Sequence, residues 1–304
     1  MLQRITIIGT GLIGTSVGLA LRQGATRTAG DALRFSGKII GCDADAAQAD
    51  TALQMGAVDE VVRGQEKTLA AAANSDVVVL AVPVFGILDW MPKLAAVMKP
   101  GQLVTDTGST KLEITKAGAR LFFGDGAAFL PGHPMAGKES GGAALGEAAL
   151  FQNAMWLFTP TGRAVAPVEA EWRGMVEKFG CRTMDLDAER HDVLCAWVSH
   201  LPQMVSTAMS ALLEDEFGDA ADMRAIGGRA LREMTRLGAS PYSMWRDVAL
   251  SNTKPLGDTL LALEQRLTHM RENLKTPELR EEFAKANKFR SGGAAVLPAK
   301  AEER

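Results

Sequence analysis

The sequence predicts a parallel α/β domain that is followed by an all-helical domain. In the first half of the chain, short β-like runs alternate with helical stretches, which is typical of βαβ units that form a parallel sheet. After about Asp187 no further β-like run is present, and long apolar stretches of helical periodicity follow. We therefore predict an α/β domain over residues 1–186, a helical domain over 187–290 and a disordered tail over 291–304.

Each predicted element is bounded by glycine, proline or polar residues. The predicted strands are Ile5–Ile8, Lys38–Gly41, Val77–Val82 and Gln102–Thr105, with Ala128–Leu130, Ala154–Thr159 and Arg182–Leu186 as further candidates. The predicted helices are Gly11–Arg22, Asp45–Met55, Ile87–Val97, His191–Leu213, Ala220–Leu237, Tyr242–Asn252 and Leu256–Asn273. The segment 23–37 is longer than a usual helix-to-strand connection and is predicted to be a surface insertion.

The composition argues against several classes of function. A formal net charge of −3 provides no basic field for nucleic acid or for an anionic membrane. The three cysteines form no CxxC pair, so we expect no metal ion and a reducing, cytoplasmic compartment. No signal-peptide pattern precedes the first predicted strand. The longest apolar stretch, Val193–Leu213, contains polar residues that favour a buried helix over a membrane span.

A glycine-rich turn joins the first predicted strand to the first predicted helix. Gly9, Gly11 and Gly14 form the pattern GxGxxG, in which the first glycine permits a tight turn and the second lets the backbone approach a pyrophosphate. The third lets helix and strand pack closely, and the helix N-terminus faces the phosphate charge. This context predicts a Rossmann-type domain that binds a dinucleotide. The alternative is a tight turn in a protein that binds no nucleotide.

An acidic residue, Asp43, ends the second predicted strand. A carboxylate there accepts hydrogen bonds from ribose hydroxyls and repels a 2′-phosphate, which favours NAD over NADP. Its separation from the glycine turn exceeds the usual spacing of roughly 20 residues, and the insertion at 23–37 accounts for the excess. A second loop, Ala81-Val82-Pro83, should lie at the same edge of the sheet. The residues predicted from the pattern to bind the cofactor are Gly9, Gly11, Leu12, Ile13, Gly14, Asp43, Val82 and Pro83.

Three further segments carry many functional groups. Two of them, DTGSTK at 106–111 and GHPMAGKESGG at 132–142, follow predicted strands and should lie at the carboxyl edge of the sheet. The third, SHLPQ at 199–203, lies within a predicted helix. In a later helix, Arg229, Arg232 and Arg236 are spaced three and four residues apart and are predicted to share one face.

Taken in this order, GTGLIG, DTGSTK, GHPMAGKESGG, HDVLCAWVSHLPQ and REMTRLGASPYSMW resemble the prephenate/arogenate dehydrogenase family in its monofunctional form. The similarity covers roughly residues 4–275, and the combination of HPMAG with SHLP is more specific than GxGxxG alone. The resemblance implies NAD-dependent oxidative decarboxylation of prephenate or arogenate in tyrosine biosynthesis. It also implies a homodimer formed through the helical domain, which its long apolar runs independently favour.

The resemblance assigns roles to individual residues. His133 matches the catalytic histidine, and Ser109 matches a serine that hydrogen-bonds near that histidine and the nicotinamide. Arg236 matches the arginine that binds a substrate carboxylate. His200 either faces the substrate or is a hydrogen-bonded core histidine. Gln203 is predicted to contact the substrate. It stands where several family members carry a second histidine, and it keeps hydrogen bonding but loses a titratable group, so substrate preference between prephenate and arogenate is hard to carry over.

Each of these residues also has a plain structural interpretation, as a loop histidine, a turn serine or a solvated arginine. Glu139 follows His133 in the same loop and would repel an anionic substrate unless it were neutralised. We predict that Arg232 pairs with Glu139 across the cleft and gates access to Arg236. The alternative is that both are solvated surface charges.

Two other functions are compatible with such a fold. A β-hydroxyacid dehydrogenase or imine reductase would place a catalytic lysine on the interdomain helix, but His191–Leu213 contains no lysine. A non-catalytic NAD-binding protein would tolerate the loss of His133. The sequence favours the dehydrogenase of the prephenate/arogenate type over both.

Overall fold

A six-stranded parallel sheet forms the first part of the molecule. The computed structural model describes residues 2–23, 34–162 and 165–293. The strands follow the order β3-β2-β1-β4-β5-β6, and every neighbouring pair is parallel. The strands are β1 (Arg4–Ile8), β2 (Lys38–Cys42), β3 (Glu60–Val61), β4 (Val77–Leu80), β5 (Leu103–Asp106) and β6 (Ala128–Leu130). This order is that of the doubly wound dinucleotide-binding fold, so the predicted fold class is confirmed for this part.

Helices connect the strands and cover both faces of the sheet. They are α1 (Leu12–Gln23), α2 (Ala46–Gln54), α3 (Gln65–Ala73), α4 (Val84–Ala95), α5 (Leu112–Leu121) and α6 (Pro167–Lys178). Successive strand residues point to opposite faces, so Val77 and Val79 belong to one apolar cluster and Val78 and Leu80 to the other. A strand that is buried on both faces has a continuous apolar sequence, as VVVL in β4 shows.

A small second sheet follows, and the sequence analysis did not predict its first strand. In this sheet β7 (Gly132–Pro134) pairs antiparallel with β8 (Met155–Phe158), which pairs parallel with β9 (Arg182–Asp185). The sequence predicts a loop for residues 132–142. The structure instead pairs His133 with Leu157, so the backbone on either side of this histidine is held by strand hydrogen bonds.

Every described element after β9 is helical. These elements are α7 (Ala188–Cys195), a π-turn (Ala196–His200), α8 (Leu201–Phe217), α9 (Ala221–Ile226), α10 (Arg229–Thr235), a 3-10 turn (Arg236–Ala239), α11 (Tyr242–Ser251), α12 (Thr253–Glu272) and α13 (Pro277–Gly293). The π-turn precedes Pro202, which has no N–H to donate to the carbonyl four residues earlier. There the Leu201 N–H instead bonds to the carbonyl of Ala196, one residue further back than in an α-helix.

One prediction about these helices is wrong. The predicted helix Ala220–Leu237 is broken into α9 and α10 at Gly227 and Gly228, and it ends in a 3-10 turn. Gly227 leaves the helical conformation, with φ −60° and ψ 97°, and thereby ends α9. The predicted helix Leu256–Asn273 begins three residues earlier than expected, at Thr253. It therefore includes Pro255 in its first turn, where a missing N–H costs no hydrogen bond.

The chain forms two compact units, Met1–Leu256 and Gly257–Arg304. The boundary predicted at residue 187 therefore stays a prediction, although strands give way to helices at that point. The helix α13 runs to Gly293, three residues into the predicted disordered tail, and the rest of that tail lies outside the described residues. Most of the predicted insertion, residues 24–33, also lies outside them. Among the described helices, none is both long and apolar enough to cross a membrane.

Candidate active site

The predicted functional loops meet at one edge of the parallel sheet. Gly9 follows β1, Asp43 follows β2 and Ala81 follows β4, while Thr107 and Pro131 follow β5 and β6. Because these strands are parallel, their carboxyl ends share one edge, which is where doubly wound folds bind ligands. Backbone bonds join the loops there, with the Ala81 N–H donating to the Ile8 carbonyl at 2.7 Å and the Thr107 N–H donating to the Leu80 carbonyl at 3.0 Å.

The glycine turn has the geometry that a dinucleotide requires. Gly9 has φ +95°, and a Cβ on it would lie 2.3 Å from the carbonyl oxygen of Ala81. A Cβ on Gly14 would lie 1.8 Å from the carbonyl oxygen of Gly9. A Cβ on Gly11, by contrast, would meet no atom within 4 Å. Gly9 and Gly14 thus serve the packing of the turn. Gly11 leaves open space beside the N-terminus of α1, which suits a pyrophosphate.

Asp43 is held in place by the turn that it faces. Its Oδ2 accepts a hydrogen bond from the Thr10 N–H at 2.7 Å, and its Oδ1 accepts one from the Asp45 N–H at 2.9 Å. A carboxylate has about four acceptor positions, so capacity for ribose hydroxyls remains. The side chains of Val82 and Ile13 are partly exposed, and Pro83 is exposed. The described residues therefore fit a dinucleotide with two free ribose hydroxyls.

A buried ion pair lies beneath the loops that follow β5 and β6. The Lys111 ammonium donates to Oδ2 of Asp106, and both side chains are fully buried. The same carboxylate accepts from the N–H of Gly108 at 2.8 Å and of Gly132 at 3.2 Å. Burial lowers the pKa of Lys111, and the charge and hydrogen bond of Asp106 oppose that shift. One carboxylate therefore positions the loop that carries Ser109 and the residue before His133.

Two histidines and an aspartate form a buried relay. Nδ1 of His133 lies 2.9 Å from Nε2 of His191, and Nδ1 of His191 lies 2.8 Å from Oδ1 of Asp192. An ionised carboxylate can only accept, so His191 carries its proton on Nδ1 and its Nε2 accepts from His133. The proton of neutral His133 is then on Nδ1, and its Nε2 is left as an acceptor. The relay thus selects the tautomer that a general base needs.

Asp192 also caps a helix of the sheet domain. Its Oδ1 accepts from the Lys111 N–H at 2.7 Å and its Oδ2 from the Leu112 N–H at 2.9 Å, at the N-terminus of α5. These N–H groups have no partner within the helix, and the positive end of the helix dipole favours a carboxylate there. The residue that orients His191 is therefore itself fixed by the sheet domain.

Burial keeps these histidines neutral. The pKa of His133 lies well below its ordinary value of 6.5, first because of burial and then because a charged His133 would be repelled by His191, Lys111 and His200 in their charged forms. Burial likewise lowers the pKa of His191, and the hydrogen bond to Asp192 opposes that shift. A base is useful only in its neutral form, so the lowered pKa makes His133 a ready acceptor at neutral pH.

His200 presents a buried donor without a protein partner. Asn252 Nδ2 donates to the Asp192 carbonyl at 2.9 Å and lies 3.1 Å from Nδ1 of His200. Nδ1 is therefore an acceptor, and the proton of neutral His200 is on Nε2. Within the described chain this buried Nε2 has no hydrogen-bond partner. Burial lowers the pKa of His200 to about 4, so the ring is neutral near pH 7.

The predicted pairing of Arg232 with Glu139 is wrong. Glu139 forms its ion pair with Arg236, while the Arg232 guanidinium donates to the Gly227 carbonyl at 3.2 Å. The three arginines do not share one helix face, because α10 ends at Thr235 and Arg236 begins a tighter 3-10 turn. Arg229 pairs with Glu233 on the surface. The structure thus brings Glu139 directly to Arg236, the residue that was expected to bind a carboxylate.

Gln203 holds the turn that carries Arg236. Its Nε2 donates to the Leu237 carbonyl at 2.7 Å and to Thr207 Oγ1 at 3.1 Å, and its Oε1 accepts from Ser240 Oγ at 3.2 Å. Both amide protons are therefore in use. We had expected Gln203 to bind substrate, but its contacts are those of a residue that positions the 3-10 turn.

Sequence reasoning missed His191, Asp192 and Asn252. The adjacent pair His191-Asp192 stands at the start of a predicted helix, where polar residues usually serve as caps. The signal that could have singled it out is an aspartate beside a histidine just before an apolar run that also contains His200. Ser109 is half-buried, and among the described residues its hydroxyl has no hydrogen-bond partner, so it is available to a ligand.

Sequence comparison gives the family of this chain. Residues 29–184 match the family described as "Prephenate dehydrogenase, nucleotide-binding domain", and residues 187–289 match "Prephenate dehydrogenase, dimerization domain". The chain belongs to the prephenate dehydrogenase family. The resemblance that was inferred from the motifs is therefore confirmed.

Known relatives agree with this assignment. The chain is 29% identical over 252 residues to the prephenate dehydrogenase of Lactococcus lactis subsp. cremoris, covering 83% of this chain and 65% of the relative. It thus spans a little under two thirds of that relative's length. The structure of Aquifex aeolicus prephenate dehydrogenase in complex with hydroxyphenyl propionate and NAD+ superposes with a TM-score of 0.82 at 25% identity, over 98% of this chain and 99% of that one. Synechocystis arogenate dehydrogenase gives a TM-score of 0.74 at 27% identity, over 95% and 99%.

The roles of the glycines in the turn can be separated by two substitutions. Gly14→Ala forces a Cβ against the Gly9 carbonyl, so we expect a lower melting temperature of the free protein. Gly11→Ala enters open space, so we expect an unchanged melting temperature and dinucleotide binding weakened by about tenfold or more. Thermal melts without ligand and titrations with NAD and with NADP would measure both. Wild-type dinucleotide affinity in Gly11→Ala would contradict the assignment.

Proposed function

We propose that this protein is an NAD-dependent dehydrogenase that oxidises and decarboxylates prephenate, or arogenate, in tyrosine biosynthesis. The observation that carries the proposal is the relay from Asp192 through His191 to His133, which leaves Nε2 of His133 as an acceptor. The residue before His133 is hydrogen-bonded to Asp106 at the end of β5, at the same sheet edge as the glycine turn. Family membership supports the substrate class, since relatives are named prephenate, cyclohexadienyl and arogenate dehydrogenases.

The cofactor residues are those at the carboxyl ends of the first strands. Gly11 and the N-terminus of α1 would face the pyrophosphate, and Asp43 would accept from the adenosine ribose and exclude a 2′-phosphate. Val82 and Pro83 would line the nicotinamide side of the site, with Ser109 beside His133. When bound, NAD would supply the hydride acceptor for the hydroxyl-bearing ring carbon of the substrate.

His133 accepts the hydroxyl proton of the substrate and later returns it. As the carbon–hydrogen bond breaks, the ring hydroxyl becomes acidic and its proton moves to Nε2 of His133. Loss of the ring carboxylate as carbon dioxide leaves its bonding electron pair in the ring, which becomes a phenolate. His133 then returns the proton to the phenolate oxygen, so the base ends the cycle neutral. Because aromatisation drives the reaction, positioning and one well-oriented acceptor suffice.

Two cationic or donor groups are available for the substrate's carboxylates. Arg236 offers a guanidinium with five donors. It can therefore bind a substrate carboxylate and either keep its ion pair with Glu139 or give that pair up. His200 offers its unpartnered Nε2–H, which would gain a hydrogen bond in the complex. A protein of net charge −3 attracts a dianion only through such local groups.

We also propose a homodimer. Residues 187–289 match a family dimerization domain, and the π-turn and α8 to α11 leave several large apolar side chains exposed in the single chain. These include Val198, Leu212, Phe217, Ile226, Met234, Tyr242 and Leu250. A second copy would remove such a surface from water. The free cysteines Cys42, Cys181 and Cys195 agree with a reducing compartment, and we propose the cytoplasm.

A single crossed assay tests the function. Purified protein is mixed with NAD or NADP and with prephenate or arogenate, and reduced nicotinamide is followed by absorbance. We expect turnover with NAD and at least one of the two substrates. Absence of turnover in all four combinations would refute the proposed activity.

Replacing His133 tests the base directly. In His133→Asn we expect NAD binding to persist and kcat to fall by about 10²–10⁴-fold, the usual contribution of a general base. The exposed His269 provides a matched control, and His269→Asn should keep wild-type kcat. If His133→Asn keeps more than about a tenth of wild-type turnover, His133 is not the base.

The pH dependence tests the relay. His133 must be neutral to accept a proton, so a pKa below 6.5 keeps it active at lower pH, and kcat/KM should fall only as the pH drops through that lowered value. Removing the neighbouring ring in His191→Asn takes away one cause of the lowered pKa, so the acid limb should move to higher pH. A limb that stays in place, or that lies above pH 6.5 in the wild type, would argue against the relay.

Gln203 and Arg236 should act on the same step. Arg236→Ala is expected to raise the substrate KM by about 10- to 100-fold, as for a carboxylate left without its partner, and Gln203→Ala should raise it by a smaller factor with little effect on kcat. Arg229→Ala serves as the matched surface control. Because Gln203 acts through the turn, its substitution should add nothing in the Arg236→Ala background. Additive effects on KM would show that Gln203 contacts the substrate itself.

A further inference from the structure

Three side chains that can bind a metal ion, His133, His191 and Cys195, lie close together where the relay joins its two histidines. Nδ1 of His133 lies 2.9 Å from Nε2 of His191, and Sγ of Cys195 lies 3.5 Å from that Nε2 and 3.9 Å from that Nδ1. All three side chains are buried. His191 and Cys195 lie four residues apart on one face of α7, while His133 comes from β7.

These separations are close to those of a zinc site. Zinc binds histidine nitrogen at about 2.0–2.1 Å and cysteine sulfur at about 2.3 Å in tetrahedral geometry, which places two nitrogens about 3.3 Å apart and a nitrogen and sulfur about 3.6 Å apart. The two nitrogen-to-sulfur distances here, 3.5 and 3.9 Å, bracket that value. The two histidine nitrogens, now joined by a hydrogen bond, need to separate by about 0.4 Å.

The surroundings of the cluster also suit a cation. The other ring nitrogen of His191 is hydrogen-bonded to the Asp192 carboxylate at 2.8 Å, which is the outer-shell arrangement typical of zinc-bound histidine. Nearby charges are Lys111, Asp106 and Asp192, which sum to −1 while the thiol is protonated. A Zn²⁺ ion that displaces the thiol proton adds +1 overall, so the buried cluster becomes neutral.

We propose that His133, His191 and Cys195 form an inhibitory Zn²⁺ site. Zinc on Nδ1 of His133 replaces the proton there, and the neutral ring then carries its single proton on Nε2. In that tautomer Nε2 is a donor and can no longer accept the substrate's hydroxyl proton. The thiol proton of Cys195 is released to solvent. The loss of turnover rests on the proposed function, whereas zinc binding itself does not.

The binding test uses the full-length protein without substrate or NAD. Equilibrium dialysis with ZnCl₂ should give one ion per chain, and Co²⁺ in its place should give a thiolate-to-metal charge-transfer band. Cys195→Ser should bind zinc at least about 100-fold more weakly, because even outer-shell partners are worth 10- to 100-fold. It should also lack the band. Cys181→Ser, which removes another buried cysteine, is the matched control and should retain both.

The inhibition test compares the same proteins under turnover. Zinc should inhibit the wild type and Cys181→Ser, and a chelator should restore activity. Cys195→Ser should keep its basal turnover and resist zinc by a similar factor of about 100. If Cys195→Ser fails to fold, Cys195→Ala takes its place in both tests.

Several results would overturn the proposal. The first is equal zinc affinity in the wild type and the Cys195 variants. The second is loss of zinc binding in Cys181→Ser. The third is binding of one zinc ion per chain with no change in turnover. If no variant oxidises prephenate or arogenate, the dialysis and the cobalt band still decide whether the site exists. The failure of the proposed function and the failure of the metal site are thus distinguishable.

Discussion

The carboxylate of Asp192 is the contact on which the geometry of the site depends. Its oxygens accept from two N–H groups at the N-terminus of α5 and from the ring of His191. A helix N-terminus offers free donors and a positive dipole end, which favour a carboxylate there, and a carboxylate can only accept. That constraint passes through His191 to His133 and leaves one tautomer of the neutral His133 ring. A side chain of α7 therefore joins the helical segment to the sheet domain and prepares the chemistry.

The loops at the carboxyl edge of the parallel sheet depend on a second buried carboxylate, that of Asp106. Asp106 holds the Lys111 ammonium and also the N–H groups of Gly108 and Gly132. Removing one partner of a buried ion pair typically costs about 3–5 kcal/mol, because the remaining charge stays uncompensated. The loops around His133 are thus fixed by polar contacts with specified directions, whereas the strands beneath them are fixed by apolar packing. Directional contacts of this kind are what a catalytic geometry requires.

The parts that could be predicted from the sequence are those that local chemistry determines. The glycine turn was predictable because each glycine answers a requirement of the turn or of the pyrophosphate, and Asp43 follows from the strand that precedes it. The relay was not predictable, because His133 and His191 are 58 residues apart and meet only through the tertiary fold. The pairing of Arg232 failed because helical periodicity was extended through Gly228 and past the end of α10. Gln203 kept its predicted hydrogen bonding, but the structure directs it to Leu237 and Ser240.

The proposed base, His133, and the proposed carboxylate ligand, Arg236, lie in different physical environments. Burial lowers the pKa of His133 and makes it a weak base. In the proposed reaction a weak base is sufficient, because aromatisation would supply the driving force and the base would only accept and return one proton. Arg236, in contrast, has 60% of its side chain exposed, on a turn flanked in sequence by the exposed apolar residues Met234 and Tyr242. In water a guanidinium–carboxylate contact contributes little. Covering this surface with a second copy would lower the local dielectric and strengthen the hold on the substrate, so dimer formation and substrate affinity are expected to be coupled.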